Sequence, residues 1–291
     1  MEFQTPDSSE EVRRNWLELP PDVMSLIFLK LGAIDILYRA QSVCSAWRKL
    51  SKEPQLWSSV DMRKHRDSFF GNEPIMGKMA REAVDRSCGQ LVEFSVEEFA
   101  TDGLLQYITD RCSSLRCLRL ESCYEISPTG LIEMAKKLPL LEELELYHCS
   151  FSAKVLEVVG QLCPQLKSFR LNYRAYWHPC LKCDEKALAI AKSMPQLRHL
   201  HLLANKMSDN GLKAILDGCP HLESLDLRQC FNLKLEGDLL KRCADQIRNL
   251  RLPVDSPDGS EFYAQIVSDE YYECSKSNYF YDYDDYEDRS F

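Results

Sequence analysis

The chain has 291 residues, 45% of them apolar, and a net charge of −9, enough material for two folded units. The negative balance argues against a nucleic-acid binder. No stretch reaches the length of a membrane span, and the polar, acidic run from Met1 to Glu10 argues against a signal peptide.

Residues 1–15 read as a flexible lead. Leu19-Pro20 then fixes an extended entry, because Pro sets φ and cannot donate. Asp22 is expected to cap a helix in which Val23, Leu26, Ile27, Lys30 and Leu31 recur at helical spacing, giving one apolar side. Gly32 stops that helix, and Asp35 opens a second carrying Ile36, Leu37 and Ala40. Val43 to Leu50 gives a third, with Val43, Trp47 and Leu50 on one stripe and Cys44 beside it. A unit of about 40 residues this apolar is not stable on its own core, so it must dock on something. The pattern alone leaves open whether that is the rest of the chain or another protein.

The run Leu19-Pro20-x-Asp22, Ile27, Leu31, Asp35-x-Leu37, Ala40, Val43-Cys44-x-x-Trp47, Pro54-x-Leu56-Trp57 resembles an F-box over residues 16–60. The wording from Asn15 to Asp22 is similar to the small plant F-box/leucine-rich-repeat proteins in particular. The resemblance implies binding to a Skp1-like protein, through it to cullin, and so to a ubiquitin ligase. Carried over by position, it gives Leu19, Pro20, Ile27, Leu31, Val43, Cys44 and Trp47 to the Skp1 interface or its support.

Residues 61–87 read as a connector, first strongly charged and then helical, with Ile75, Met79, Ala83 and Val84 on one side. From residue 88 to 255 the template Cys-x-x-Leu-x-x-Leu-x-Leu returns. Clear copies begin at Cys112, Leu138, Cys163, Met194 and Cys219, with weaker copies at Cys88 and Cys243. A spacing of about 25 residues is that of leucine-rich repeats, so six to seven repeats are expected. Alternating leucines predict short strands with leucines inward. Thr101, Ser127 and Ser208 predict helix caps in the other half of each repeat. Stacked repeats share one core, which one repeat cannot build alone. The fold class is therefore α/β: a three-helix F-box, a repeat solenoid and a tail.

Of the thirteen cysteines, eight fall in repeat slots: Cys88, Cys112, Cys163, Cys219 and Cys243 at repeat starts, and Cys123, Cys149 and Cys230 after strands. Free thiols in small buried slots are expected. The third repeat is longer by about six residues, and insertions in solenoids map to loops, often on the binding face. It holds Tyr173, Tyr176 and Trp177, and also His178-x-Cys180-x-x-Cys183, a set read as a plain loop with no metal. Strand alternation sends two residues per repeat to the concave face, from Glu93 and Ser95 to Asn249 and Arg251, a polar surface of mixed sign. Arg170, Tyr173, Tyr176, Trp177, His199, His201 and Arg228 are the expected target-binding set. Residues 256–291 are Tyr-rich, with a net charge of −6 from Asp269 onward, and read as disordered.

No phosphate loop, nucleophile elbow or zinc-protease motif is present in the sequence, and no cofactor is expected. The reading that follows is a non-catalytic substrate adaptor of a Skp1-cullin-F-box ubiquitin ligase. Its partners would be a Skp1-like protein, cullin and a target protein, in cytoplasm or nucleus, with neither nucleic acid nor membrane involved. The alternatives are a small-ligand receptor on the same scaffold, as in plant hormone-receptor relatives, and a repeat scaffold not coupled to Skp1.

Overall fold

The computed structural model of the chain describes residues 18–63, 73–172, 176–177, 183–256 and 265–266. The expected lead, most of the charged connector and most of the tail lie outside these. Helix α1 spans Pro21–Tyr38 and follows Pro20, which is extended at φ −55 and ψ 144. Pro20 thus holds the cap position, and Asp22 lies in the first turn without capping. Gly32, at φ 80 and ψ 167, breaks α1 into the two segments the sequence predicts. Asp35 does not open the second segment but lies within it, paired with Arg39 at 2.5 Å. A 3-10 turn (Ala40–Ser42) leads to α2 (Ser45–Leu50). Here Cys44 is the cap: its Sγ accepts the Trp47 N–H at 3.5 Å.

A second 3-10 turn (Pro54–Trp57) buries Leu56 and Trp57. The Trp57 indole N–H donates to the Ser51 carbonyl at 3.0 Å, and the Arg86 guanidinium covers the ring at 5.3 Å. The chain then forms a strand that the sequence reading missed, β1 (Ser59–Met62), parallel to β2 (Glu93–Glu97). Helix α3 (Glu73–Arg86) lies between them. The end of the F-box therefore supplies the first strand of the repeat sheet.

The repeats follow as α4 (Asp102–Arg111), β3 (Cys117–Glu121), α5 (Pro128–Lys137), β4 (Glu143–Tyr147), α6 (Ala153–Leu162) and β5 (Ser168–Asn172). After the two-residue β6 (Tyr176–Trp177) come α7 (Glu185–Ser193), β7 (His199–His201), α8 (Asp209–Gly218), β8 (Ser224–Asp226), α9 (Gly237–Gln246) and β9 (Asn249–Arg251). The parallel sheet runs β1-β2-β3-β4-β5-β7-β8-β9. Its inward residues stack in register: Phe94, Leu118, Leu144, Phe169, Leu200 and Leu225 are all buried, and half-buried Leu250 ends the row.

Five of the strands, β2, β3, β4, β7 and β8, are followed within three residues by one in the left-handed region: Glu98, Ser122, His148, Ala204 and Gln229, with φ from 51 to 69. Each donates its N–H across to the next repeat, for example Ser122 to the Tyr147 carbonyl at 2.8 Å and Ala204 to that of Arg228 at 3.0 Å. The turn is thus pinned at the same place in successive repeats. The helix starts are linked as well. Ser127 caps α5 by accepting the Gly130 N–H at 2.9 Å, while its own N–H and hydroxyl donate to Asp102 at 2.9 and 2.6 Å. Ser208 repeats this with Asp184, at 2.6 and 2.7 Å.

The cysteine slots hold with one exception. Cys88 is exposed at φ 49, and buried Ser87 takes its expected place, donating to the Val84 carbonyl at 2.6 Å. The first repeat is out of frame by one residue because α3 ends one residue early. In the long third repeat, β6 pairs in parallel with β10 (Gln265–Ile266). Those two tail residues, expected to lack structure, are paired instead.

Candidate protein-binding surfaces

Two surfaces answer to the residues singled out in the sequence. The first is the outer side of the F-box. In α1, Met24, Phe28, Ile36 and Leu37 are buried. The stripe read from the sequence faces the other way: Val23, Leu26 and Leu31 are exposed, and Ile27 is half-buried. Leu29 and Tyr38 join it, and Val43 stands 61% exposed. Of the seven expected interface residues, Pro20, Leu31 and Val43 lie at the surface. Leu19, Ile27 and Trp47 pack partly against the core, Trp47 edge-on to Phe28 with ring centres 5.4 Å apart. Half-buried Cys44 holds the α2 cap. The surface and its supports are therefore different residues.

The second surface is the concave face of the sheet. Its two rows are those the alternation predicts. One carries Glu93, Cys117, Glu143, Ser168, His199, Ser224 and Asn249, and the other Ser95, Arg119, Glu145, Arg170, His201, Asp226 and Arg251. Strand β1 adds Ser59 and Asp61. Lateral pairing decides the chemistry of this face. Arg119 lies 3.2 Å from Glu145 and 3.5 Å from Glu143, and Arg170 lies 3.4 Å from the same Glu145. Arg170 also donates to the Tyr147 hydroxyl at 3.2 Å. Covered by the two arginines, Glu145 is 5% exposed. Burial also pushes the Cys117 thiol up to about 12, against the pull of Arg119, and that thiol donates to Glu143 at 3.5 Å.

Further along, Asp226 is buried between Arg228 at 2.6 Å and His201 at 3.5 Å. Burial acts to raise its pKa, but hydrogen bonds from His201 and Arg228 outweigh that and hold the carboxyl well below the usual range. The expected set thus divides. Arg170 and His201 sit side by side in register, His199 is exposed in the neighbouring row, and the Arg228 head group is engaged by Asp226. Tyr173 lies outside the described residues. Tyr176 and Trp177 are described only by their pairing with Gln265 and Ile266. The sequence reading did not anticipate the carboxylates Glu145 and Asp226 as anchors of this face. Opposite charges about one repeat apart, at matching strand positions, are the signal that could have found them.

Among the described residues no group of His, Cys, Asp and Glu could hold a metal ion. His178 and Cys180 of the loop candidate lie outside them, and Cys183 is exposed. No described helix is long and apolar enough to cross a membrane.

The F-box-like family model matches residues 16–63. A second model, of the leucine-rich repeats of FBD-associated F-box protein At5g56370, matches residues 81–182 and 174–248. F-box protein SKIP19 of Arabidopsis thaliana is 49% identical over 256 residues, which cover 87% of this chain and 82% of that protein. The chain belongs to the F-box/leucine-rich-repeat family. F-box/LRR-repeat protein 23 of Arabidopsis thaliana is 47% identical over 246 residues, 84% of this chain. The chain spans only about half of that longer protein, 55% of its length. Among solved structures, the crystal structure of the Rad7 and Elc1 complex in yeast aligns with a TM-score of 0.45 and 17% identity, over 75% of this chain and 56% of that one. The F-box/leucine-rich-repeat architecture is consistent with a substrate-adaptor role, and neither matched family model is that of a catalytic domain.

Proposed function

We propose that this chain is the substrate-recognition subunit of a Skp1-cullin-F-box ubiquitin ligase, acting in cytoplasm or nucleus. The F-box binds a Skp1-type protein and through it cullin, while the concave face of the repeats holds a target protein. The chain itself does no chemistry; it brings the target within reach of ubiquitin transfer.

The observation that carries this reading is the two-sided F-box helix. Its inner residues Met24 and Phe28 already pack on the chain's own core, yet its Leu26 and Leu29 remain 59% and 50% exposed, as does Val43, just past the 3-10 turn that follows, at 61%. Each such side chain contributes about 1.5–3 kcal/mol when buried, so the patch is a strong driving force for a partner. The concave face suits a protein with charges of its own, since its groups alternate in sign.

The test is Skp1 binding by the purified chain carrying both Leu31→Asp and Val43→Asp. Both sites are exposed, so folding should persist, and affinity should fall by about a hundredfold. Unchanged affinity in the folded double variant would refute the adaptor reading.

A further inference from the structure

The charge lattice of the concave face runs out at its last strand. Along the sheet each arginine of the face meets a carboxylate: Arg63 meets Asp61, Arg119 meets Glu143 and Glu145, Arg170 meets Glu145, and Arg228 meets Asp226. Arg251, on β9, is in register with Asp226 but is exposed and pairs with no described residue. Arg248, just before the strand, is exposed and unpaired among the described residues as well. Both line an open cleft of about 590 Å³ together with His201, Asp226, Arg228 and Asn249. The carboxylate within that cleft cannot neutralise them, because Arg228 grips Asp226 with two nitrogens and His201 flanks it.

We infer that this cleft receives an acidic segment, two or more carboxylate side chains in sequence, of the protein the repeats recognise. The inference rests on the adaptor reading and names the chemistry of its target. A guanidinium offers a planar fork that matches a carboxylate, and two unpaired forks on one rim select for paired acids. A nucleic-acid strand would need a longer run of unpaired cations to neutralise successive phosphates, and among the described lining residues the cleft offers two, Arg248 and Arg251. An apolar ligand is disfavoured because nearly all the lining side chains are polar. His201 and Asn249 add donors for a peptide's side chains or carbonyls.

The test uses the full chain and a fluorescein-labelled hexaglutamate peptide, read by anisotropy, with hexalysine and inorganic phosphate as further probes. Hexaglutamate should bind, lose affinity as salt rises from about 50 to about 200 mM, and bind about tenfold more weakly to the Arg248→Glu, Arg251→Glu variant. Lys136→Glu, on the distant helix α5, should leave binding unchanged. Equal affinity in the double Arg variant, or binding of hexalysine instead, overturns the inference. So does a site that takes phosphate but no peptide. If the full chain refuses the peptide while a chain ending at Ser268 binds it, the chain's own acidic C-terminal segment is the occupant and the assignment to a partner is wrong. Skp1 binding is measured on the same samples, so failure of this cleft and failure of the adaptor reading are read separately.

Discussion

Arg228 holds Asp226 in a two-pronged grip, donating through Nη2 at 2.6 Å and through Nε at 2.9 Å. Both side chains are nearly covered, at 11% and 6% exposure. The pair fixes the end of the concave face, because Arg228 also donates to the Ser256 carbonyl at 3.3 Å, beyond the last strand. Removing one partner leaves a covered charge without its counter-ion, so Asp226→Ala should cost about 3 kcal/mol, read by urea unfolding at neutral pH.

The same pair sets a pH dependence. The folded-state pKa of Asp226 is depressed, so its contribution is complete above the ordinary aspartate value of about 4 and is lost as pH falls below it. Stability measured from pH 7 to pH 2 should fall less steeply in Asp226→Asn than in the parent chain. Parallel curves would show that this carboxylate is not linked to acid unfolding.

Two glycines should respond in opposite directions. A Cβ on Gly218 would run into the backbone of Ala191 where α8 approaches α7, so Gly218→Ala should lose about 1–3 kcal/mol. Gly77, within α3, has open space around it, and Gly77→Ala should gain about 0.5–1 kcal/mol by stiffening the unfolded chain. Thermal unfolding of the two variants side by side checks both.

The links between successive helix starts should matter more than a surface count suggests. Asp102 and Asp184 each accept two hydrogen bonds from the next repeat's capping serine. Asp102→Ala and Asp184→Ala should each cost about 1–2 kcal/mol, measurable by chemical denaturation. A loss under a few tenths would mean that water replaces the carboxylate freely.

Thiol chemistry should separate the cysteines by place. Cys88 and Cys183 are exposed, Cys44 is half-buried, and the other eight described cysteines are buried. Burial pushes Cys163, Cys219 and Cys230 up to about 12, so they stay protonated in the folded chain. Mass-spectrometric mapping of alkylation at pH 8 should label Cys88 and Cys183 first and these three only on unfolding. The folded-state pKa values are raised, so this contribution is full below the unfolded value near 8.5 and fades as pH climbs towards 12.

The repeat architecture is written in the sequence because it is local and periodic. Leu-x-Leu alternation sends Leu118 and Leu120 inward and Arg119 outward whatever lies elsewhere, and a spacing near 25 residues brings matching positions into register. Both rows of the concave face, the three Ser and Thr caps and the break at Gly32 follow from that. The tertiary structure alone decided three other matters. Helix α1 is apolar on both sides, so its pattern could not say that Met24 and Phe28 face the core while Leu26 and Leu31 face outward; the packing of α1 beside β1 and α3 chose. A four-residue strand at Ser59–Met62 carries too little pattern to be read and exists because β2 offers it an edge to pair with. Finally, the partners of Arg119, Arg170 and Arg228 depend on distances across strands. The sequence supplied the charges of the face, and the pairing of neighbouring strands determined that most are neutralised there and that, among the described residues, Arg248 and Arg251 meet no carboxylate.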